Sequence, residues 1–295
     1  MRIIEQYSCS KGKAPSEDLI VIAGDSQEDP QTVVAVIDGA TPKTSFRLPD
    51  GETPGHFAAR IIGKAIEETV SEGITDARTM INRMSETLRL ATASIDGIDK
   101  ESRPTASVVM FDSRTMQVIQ IGDCPFATMC EKRSATDDTQ ICIDEHRNEK
   151  LIDHVLSEWR SSICHSYMSR AIGNERQMAN NDPGRRIIQH FITRQTRWQN
   201  ADPSDPYAFG VIDGSFVPDA FIRTFSIDRH SVNHVILASD GIPKIHATLK
   251  ESLDHLHTLI AKDPLCIDEM RGTKGINPNA SLPDDVSYVR VEITQ

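Results

Sequence analysis

Four aspartates in this chain stand at the ends of apolar, strand-like runs. Asp38 closes the run Val33-Val34-Ala35-Val36-Ile37, Asp123 follows Val118-Ile119-Gln120-Ile121-Gly122, Asp240 follows His234 to Ser239, and Asp284 precedes the run from Val286 to Ile293. Strand ends are rigid, so oxygen ligands placed there keep fixed separations, which suits hard divalent cations. Cations held in this way turn water into a nucleophile near neutral pH. The pattern points to a carboxylate-lined metal site on a β-rich core, and it implies hydrolysis.

Composition narrows the classes. The chain has 295 residues, 38% of them hydrophobic and 25% charged, enough to bury a substantial core. Its formal charge of -11 repels polyanions, and no run of five Lys or Arg offers a nucleic-acid or anionic-membrane patch. Nucleic acid and membrane are therefore excluded as partners. The start, Met1 to Lys13, lacks the apolar segment of a secretory signal, and no stretch approaches the roughly 18 apolar residues needed to span a bilayer, so a cytoplasmic location is expected. Six scattered cysteines without a CxxC pair read as reduced and structural. HExxH, GxxxxGKS and GxGxxG are all absent.

Along the chain, Leu19 to Ala23 and Val33 to Ile37 read as a hairpin across a Gly- and Asp-rich loop. Apolar residues at helical spacing from Phe57 to Val70, and again from Ile74 to Ala93, predict two amphipathic helices covering one sheet face. Thr105 to Phe111, Met116 to Ile121 and Phe126 to Cys130 form a predicted meander, and helical or irregular structure follows over 148–172 and 185–198. Strands return at Tyr207 to Ile212, Phe221 to Ile227 and Val235 to Ala238, then a helix at Leu249 to Ala261 and a last strand at Val286 to Ile293. No linker or repeat interrupts the order, which reads as one α+β domain over 1–295.

These motifs, in this order, resemble the metal-dependent serine/threonine protein phosphatases of the PP2C type. Lys13-Ala14-Pro15-Ser16-Glu17-Asp18 resembles that family's opening basic-x-x-Asn-Glu-Asp element, and Val36-Ile37-Asp38-Gly39 its Asp-Gly element. Pro104-Thr105-Ala106-Ser107 is similar to the Gly-Thr-Thr-Ala strand start, and Ile121-Gly122-Asp123-Cys124 to the Gly-Asp-Ser element. Leu237 to Gly241 matches Ser-Asp-Gly, and Asp284-Asp285-Val286-Ser287 matches the closing Asp-Asn-x-Thr. The resemblance implies a β-sandwich of two antiparallel sheets flanked by α-helices in four αββα layers. It also implies a bacterial-type phosphatase that hydrolyses phosphoserine or phosphothreonine through a water or hydroxide bridging two Mn or Mg ions.

By that likeness Asp38 bridges two ions, the Gly39 carbonyl binds one of them, Asp240 and Asp284 complete the other, Glu17 or Asp18 acts through water, and Asp123 holds a third. Lys13 replaces the family's phosphate-holding arginine, keeping the charge but losing the planar fork. A single Asp-Gly is more often a turn. Five occur here, and Asp213-Gly214, which has no place in the family order, is assigned to a turn. After Asp38-Gly39 the family has His-Gly-Gly where this chain reads Ala40-Thr41-Pro42, so the histidine proposed as general acid is missing. His56 in the following loop is a weak substitute. That loss motivates an alternative, a pseudophosphatase serving as a binding module in signalling; a hydrolase of small phosphate esters is a third reading.

Overall fold

The computed structural model describes residues 1–12, 14–24, 32–41, 43–133, 139–170, 181–277 and 280–293. Within them the chain runs through β1 (Arg2–Cys9), β2 (Asp18–Ala23), β3 (Val33–Gly39), α1 (Pro54–Ser71), α2 (Ala77–Thr92), β4 (Ala106–Asp112), β5 (Gln117–Ile121), β6 (Phe126–Arg133) and β7 (Thr139–His146). It continues with α3 (Leu151–Ser169), α4 (Pro183–Thr193), β8 (Arg223–Ser226), β9 (His234–Ala238), α5 (Leu249–Lys262) and β10 (Val286–Glu292). Two antiparallel five-stranded sheets result, ordered β1-β10-β9-β6-β7 and β2-β3-β4-β5-β8.

The unbroken apolar run of β3 now has a physical reason: both of its faces are covered. Val33, Ala35 and Ile37 pack under α1 and α2, while Val34 and Val36 meet Phe111, Phe126, Leu237 and Val289 between the sheets. Strand β9 behaves the same way, with Val235 and Leu237 turned to the inter-sheet core and Ile236 and Ala238 turned outward under Leu256 of α5. The layers are therefore α1/α2, sheet, sheet, α5, the expected αββα sandwich. The helices start where their caps stand: Thr53 accepts from the His56 N–H at 3.2 Å ahead of Pro54, and Thr248 forms a capping box with Glu251.

Helices α3 and α4 pack mainly on each other, with Ile152, Leu156, Ile188 and Ile192 gathered against Phe209 and Val211. This small lobe stands over one end of the sandwich. Tyr207 to Ile212, expected as a strand, is not one; it makes only single bridges, Phe209 with Gln199 and Ile212 with Ala106. Strands β1 and β7 went unpredicted. Both lie at the edge of their sheet, and half-exposed edges carry too few apolar residues to show the pattern.

Candidate active site

The C-terminal ends of β3, β5 and β9 and the start of β10 meet at one end of the sandwich, and Asp38, Asp123, Asp240 and Asp284 line a single cleft of about 440 Å³ there. Distant parts of the chain thus deliver the four strand-end carboxylates to one place. Two glycines permit the close packing. A Cβ at Gly39 would overlap the Gly55 carbonyl at the start of α1, and one at Gly241 would overlap the Asp285 carbonyl. The turn carrying Asp123 is held by Gln120, whose Nε2 donates to the Cys124 carbonyl at 2.7 Å, and by Asn148, which donates to the Gly122 carbonyl at 2.9 Å.

Asp18 pairs directly across from Asp38 in the β2–β3 ladder. Burial, then the charges of Asp240, Asp285 and Asp284, push the Asp18 carboxyl up to about 8 against a hydrogen bond from Ser239. Asp38 rises well above the carboxylate range through burial and through Asp240, Asp18 and Asp123. Asp240 stays open to the cleft, yet enough protein surrounds it that burial and Asp123 and Asp284 raise it to about 6.

The remaining carboxylates are matched by lysines. Asp123 accepts from the Ser107 hydroxyl at 2.6 Å and pairs with Lys150 Nζ at 2.7 Å; burial opposes its charge, but Lys150 and Ser107 outweigh it and hold the carboxyl below its ordinary value. Asp284 pairs with Lys274 at 2.6 Å and Lys11 at 2.9 Å, and these cations overcome burial to keep it strongly acidic. The Lys11 ammonium also reaches Glu17 at 3.0 Å, Asp285 at 3.3 Å and the Thr41 hydroxyl at 2.9 Å. Asp285, buried, ties the N-terminal loop to β10 by accepting from the backbone N–H groups of Lys11 at 2.8 Å and Glu17 at 2.9 Å.

The comparisons with known proteins agree with this architecture. The family model described as Protein phosphatase 2C matches residues 5–262. The chain belongs to the protein phosphatase 2C family. Such proteins are serine/threonine phosphatases, so this one is a hydrolase of the protein phosphatase class. Among solved structures, serine/threonine phosphatase Stp1 from Staphylococcus aureus superposes with a TM-score of 0.50 at 12% identity, covering 99% of this chain and 94% of that one. A point variant of a bacterial serine phosphatase superposes with a TM-score of 0.50 at 11% identity, covering 98% of this chain and 97% of that one. No curated protein matches by sequence.

Seen as a phosphatase 2C, the chain keeps the acidic ends and alters their surroundings. Among the described residues no three His, Cys, Asp or Glu side chains already stand as a metal-ligand cluster, because Glu17, Asp284 and Asp285 converge on the Lys11 ammonium instead. The residues nevertheless fit a dication: Glu17 Oε1 and Asp18 Oδ2 are buried without a hydrogen-bond partner, and burial with the charges of neighbouring aspartates raises Asp18, Asp38 and Asp240, a strain that an added cation relieves. Ala40 lines the cleft where the family carries its histidine. His56 does not replace it; its imidazole lies 2.7 Å from the Ser16 carbonyl and 3.5 Å from Glu52, away from the cleft lining. Asp213 is a turn residue as expected, its carboxylate accepting from the Ser215 N–H at 2.9 Å and from Asn200 at 3.0 Å. Lys13 falls outside the described residues. The cations that do face the carboxylates, Lys11, Lys150 and Lys274, gave no signal in the sequence, since a lone lysine has none until the fold brings its partners.

Proposed function

We propose that this phosphatase 2C hydrolyses phosphoserine and phosphothreonine monoesters with two Mn or Mg ions held at the strand ends, and that residues 1–295 work as one catalytic domain. The observation that carries the reading is the convergence of Asp38, Asp123, Asp240 and Asp284 on one cleft. Asp38, Asp240 and Asp18 are the ligands best prepared for an ion, because none is ion-paired among the described residues and each is pushed toward its neutral form, Asp240 in spite of the Lys150 charge. The Gly39 carbonyl, at the end of β3, and Glu17 Oε1 complement them. Bound ions supply an activated water nucleophile at neutral pH.

The rest of the work falls to this chain's own groups. Asp284 would belong to the ligand set in place of its pairing with Lys274 and Lys11, and Asp123, now paired with Lys150, would hold a third ion. The cleft volume of about 440 Å³ accepts a phosphorylated side chain. Lys13, next to the described loop, is assigned to the substrate phosphate, as a point charge without arginine's bidentate fork. No described helix is long and apolar enough to cross a membrane, and the site of action proposed here is the cytoplasm.

The test is turnover of a phosphothreonine peptide and of p-nitrophenyl phosphate by purified protein with added Mn, alongside calorimetric Mn titration of the wild type, Asp38→Asn and Asp240→Asn. Turnover that depends on Mn, with both variants losing affinity for the ion, supports the proposal. Tight Mn binding without turnover of either ester identifies a binding module instead, and unchanged affinity in both variants removes the metal assignment.

A further inference from the structure

The cleft has a second wall of opposite character. Lys43 beyond β3, Lys150 at the start of α3, Arg185 in the first turn of α4 and Lys274 in the loop before β10 all line it. Their mutual proximity registers at Lys43: burial lowers its proton affinity, Asp153 opposes this, and Lys274, Arg185 and Lys150 lower it further. Asp153, the carboxylate that acts on Lys43, is already engaged, because its Oδ1 accepts from Gln195 Nε2 at 2.5 Å.

Two of the four cations serve the catalytic carboxylates, Lys150 on Asp123 and Lys274 on Asp284. The other two do not. Arg185 donates from Nη1 to the Thr273 carbonyl at 2.9 Å, which leaves most of its guanidinium fork uncommitted by any ion pair among the described residues, and Lys43 likewise has no ion-paired carboxylate there. Gln189 of α4 donates to the Lys43 carbonyl at 3.2 Å, which tethers the loop carrying Lys43 to the helix that carries Arg185. A cluster of like charges inside a cleft is unfavourable by itself and is relieved by an anion.

We propose that Lys43 and Arg185, with Lys150 and Lys274 beside them, form an anion subsite that binds a second acidic group flanking the scissile phosphate, so that the enzyme selects acidic phosphopeptides; this rests on the phosphatase reading above. A carboxylate and a second phosphate share the required chemistry. Arg185 presents a planar fork suited to either, and Lys43 adds a point charge.

The experiment compares kcat/KM, with Mn, for phosphothreonine peptides of one length whose neighbouring residues are Asp, phosphoserine, Ala or Lys. The acidic peptides are expected to exceed the Ala peptide by about tenfold, the worth of one charge-assisted hydrogen bond, and the preference is expected to shrink as salt is raised. The double variant Lys43→Gln/Arg185→Gln is expected to bring the acidic-to-Ala ratio close to one, and Lys43→Arg to retain it. Preference for Asp over phosphoserine, or the reverse, identifies the source of the anion. Equal kcat/KM for all peptides, or a ratio untouched by the double variant, overturns the proposal. If neither peptide nor p-nitrophenyl phosphate turns over, the phosphatase reading is what has failed. Fluorescence-anisotropy titration of the same peptides then decides the subsite: tighter acidic binding lost in the double variant supports it, and equal binding of all sequences overturns it.

Discussion

Asp18, Asp38 and Asp240 gather at the sheet ends with no ion-paired cation among the described residues, whereas Asp123 and Asp284, at the same end of the sandwich, are ion-paired with lysine. The first group is pushed toward the neutral acid and the second toward the carboxylate. Residue type and strand position are the same in both, so the difference comes from what the connecting segments bring alongside. One half of the cleft is arranged to gain from an added dication; the other is charge-balanced without it. Under the proposed two-ion reading, the lysine pairs balance one half without an ion and the unpaired trio is where an ion would gain most.

The sharpest way to break this contrast is to remove the centre of the unpaired trio. Asp38→Asn is expected to reduce Mn-dependent turnover by more than the ~10–100-fold typical of losing an outer-shell partner. In the same variant the ion-free protein should melt higher, because a buried carboxyl surrounded by like charges is gone. Activity assay and calorimetry read both, and a variant that keeps wild-type turnover refutes the division.

Removing the balancing charge is the next largest test. Lys11→Met leaves Glu17, Asp284 and Asp285 facing one another. Loss of one partner from a largely buried ion cluster costs up to about 3–5 kcal/mol, and urea unfolding with and without Mn measures it. Added Mn should recover more stability in this variant than in the wild type.

A smaller effect is expected from pH. Folded-state values of about 8 for Asp18 and about 6 for Asp240 lie above the unfolded value of 3.8, so the ion-free folded protein binds extra protons in between. Their contribution is complete below the unfolded value and disappears as pH rises toward 8. His234 and His255, both depressed in the fold, work the other way up to 6.5. The melting temperature in a chelator should therefore fall between about pH 5 and about pH 8, and saturating Mn should flatten the slope. The smallest change is expected from Lys274→Ala. That lysine is about a third exposed, so its loss should cost within about 1 kcal/mol, read as a shift in the urea midpoint.

Much of the sandwich was legible in the residues themselves. The apolar run at β3 announced a strand, and the spacing from Phe57 to Val70 announced the helix above it. The strand-end aspartates were legible for the same reason, since each sits where an apolar run stops. What stayed hidden was long-range. Asp285 stands beside Asp284 in the sequence and is in fact the anchor of the N-terminal loop; Lys11, which pairs with Asp284, and Lys43, which lines the cleft, carry no sequence signal of their own. Tyr207 to Ile212 had the composition of a strand, but the space beside it is taken by the Trp198–Asn200 segment, which allows only isolated bridges.

The tie between Asp285 and the backbone of Lys11 and Glu17 joins residues more than 260 positions apart. A single buried carboxylate thus clasps the two stretches, and loosening the turn before β10 frees the segment that bears Glu17 as well.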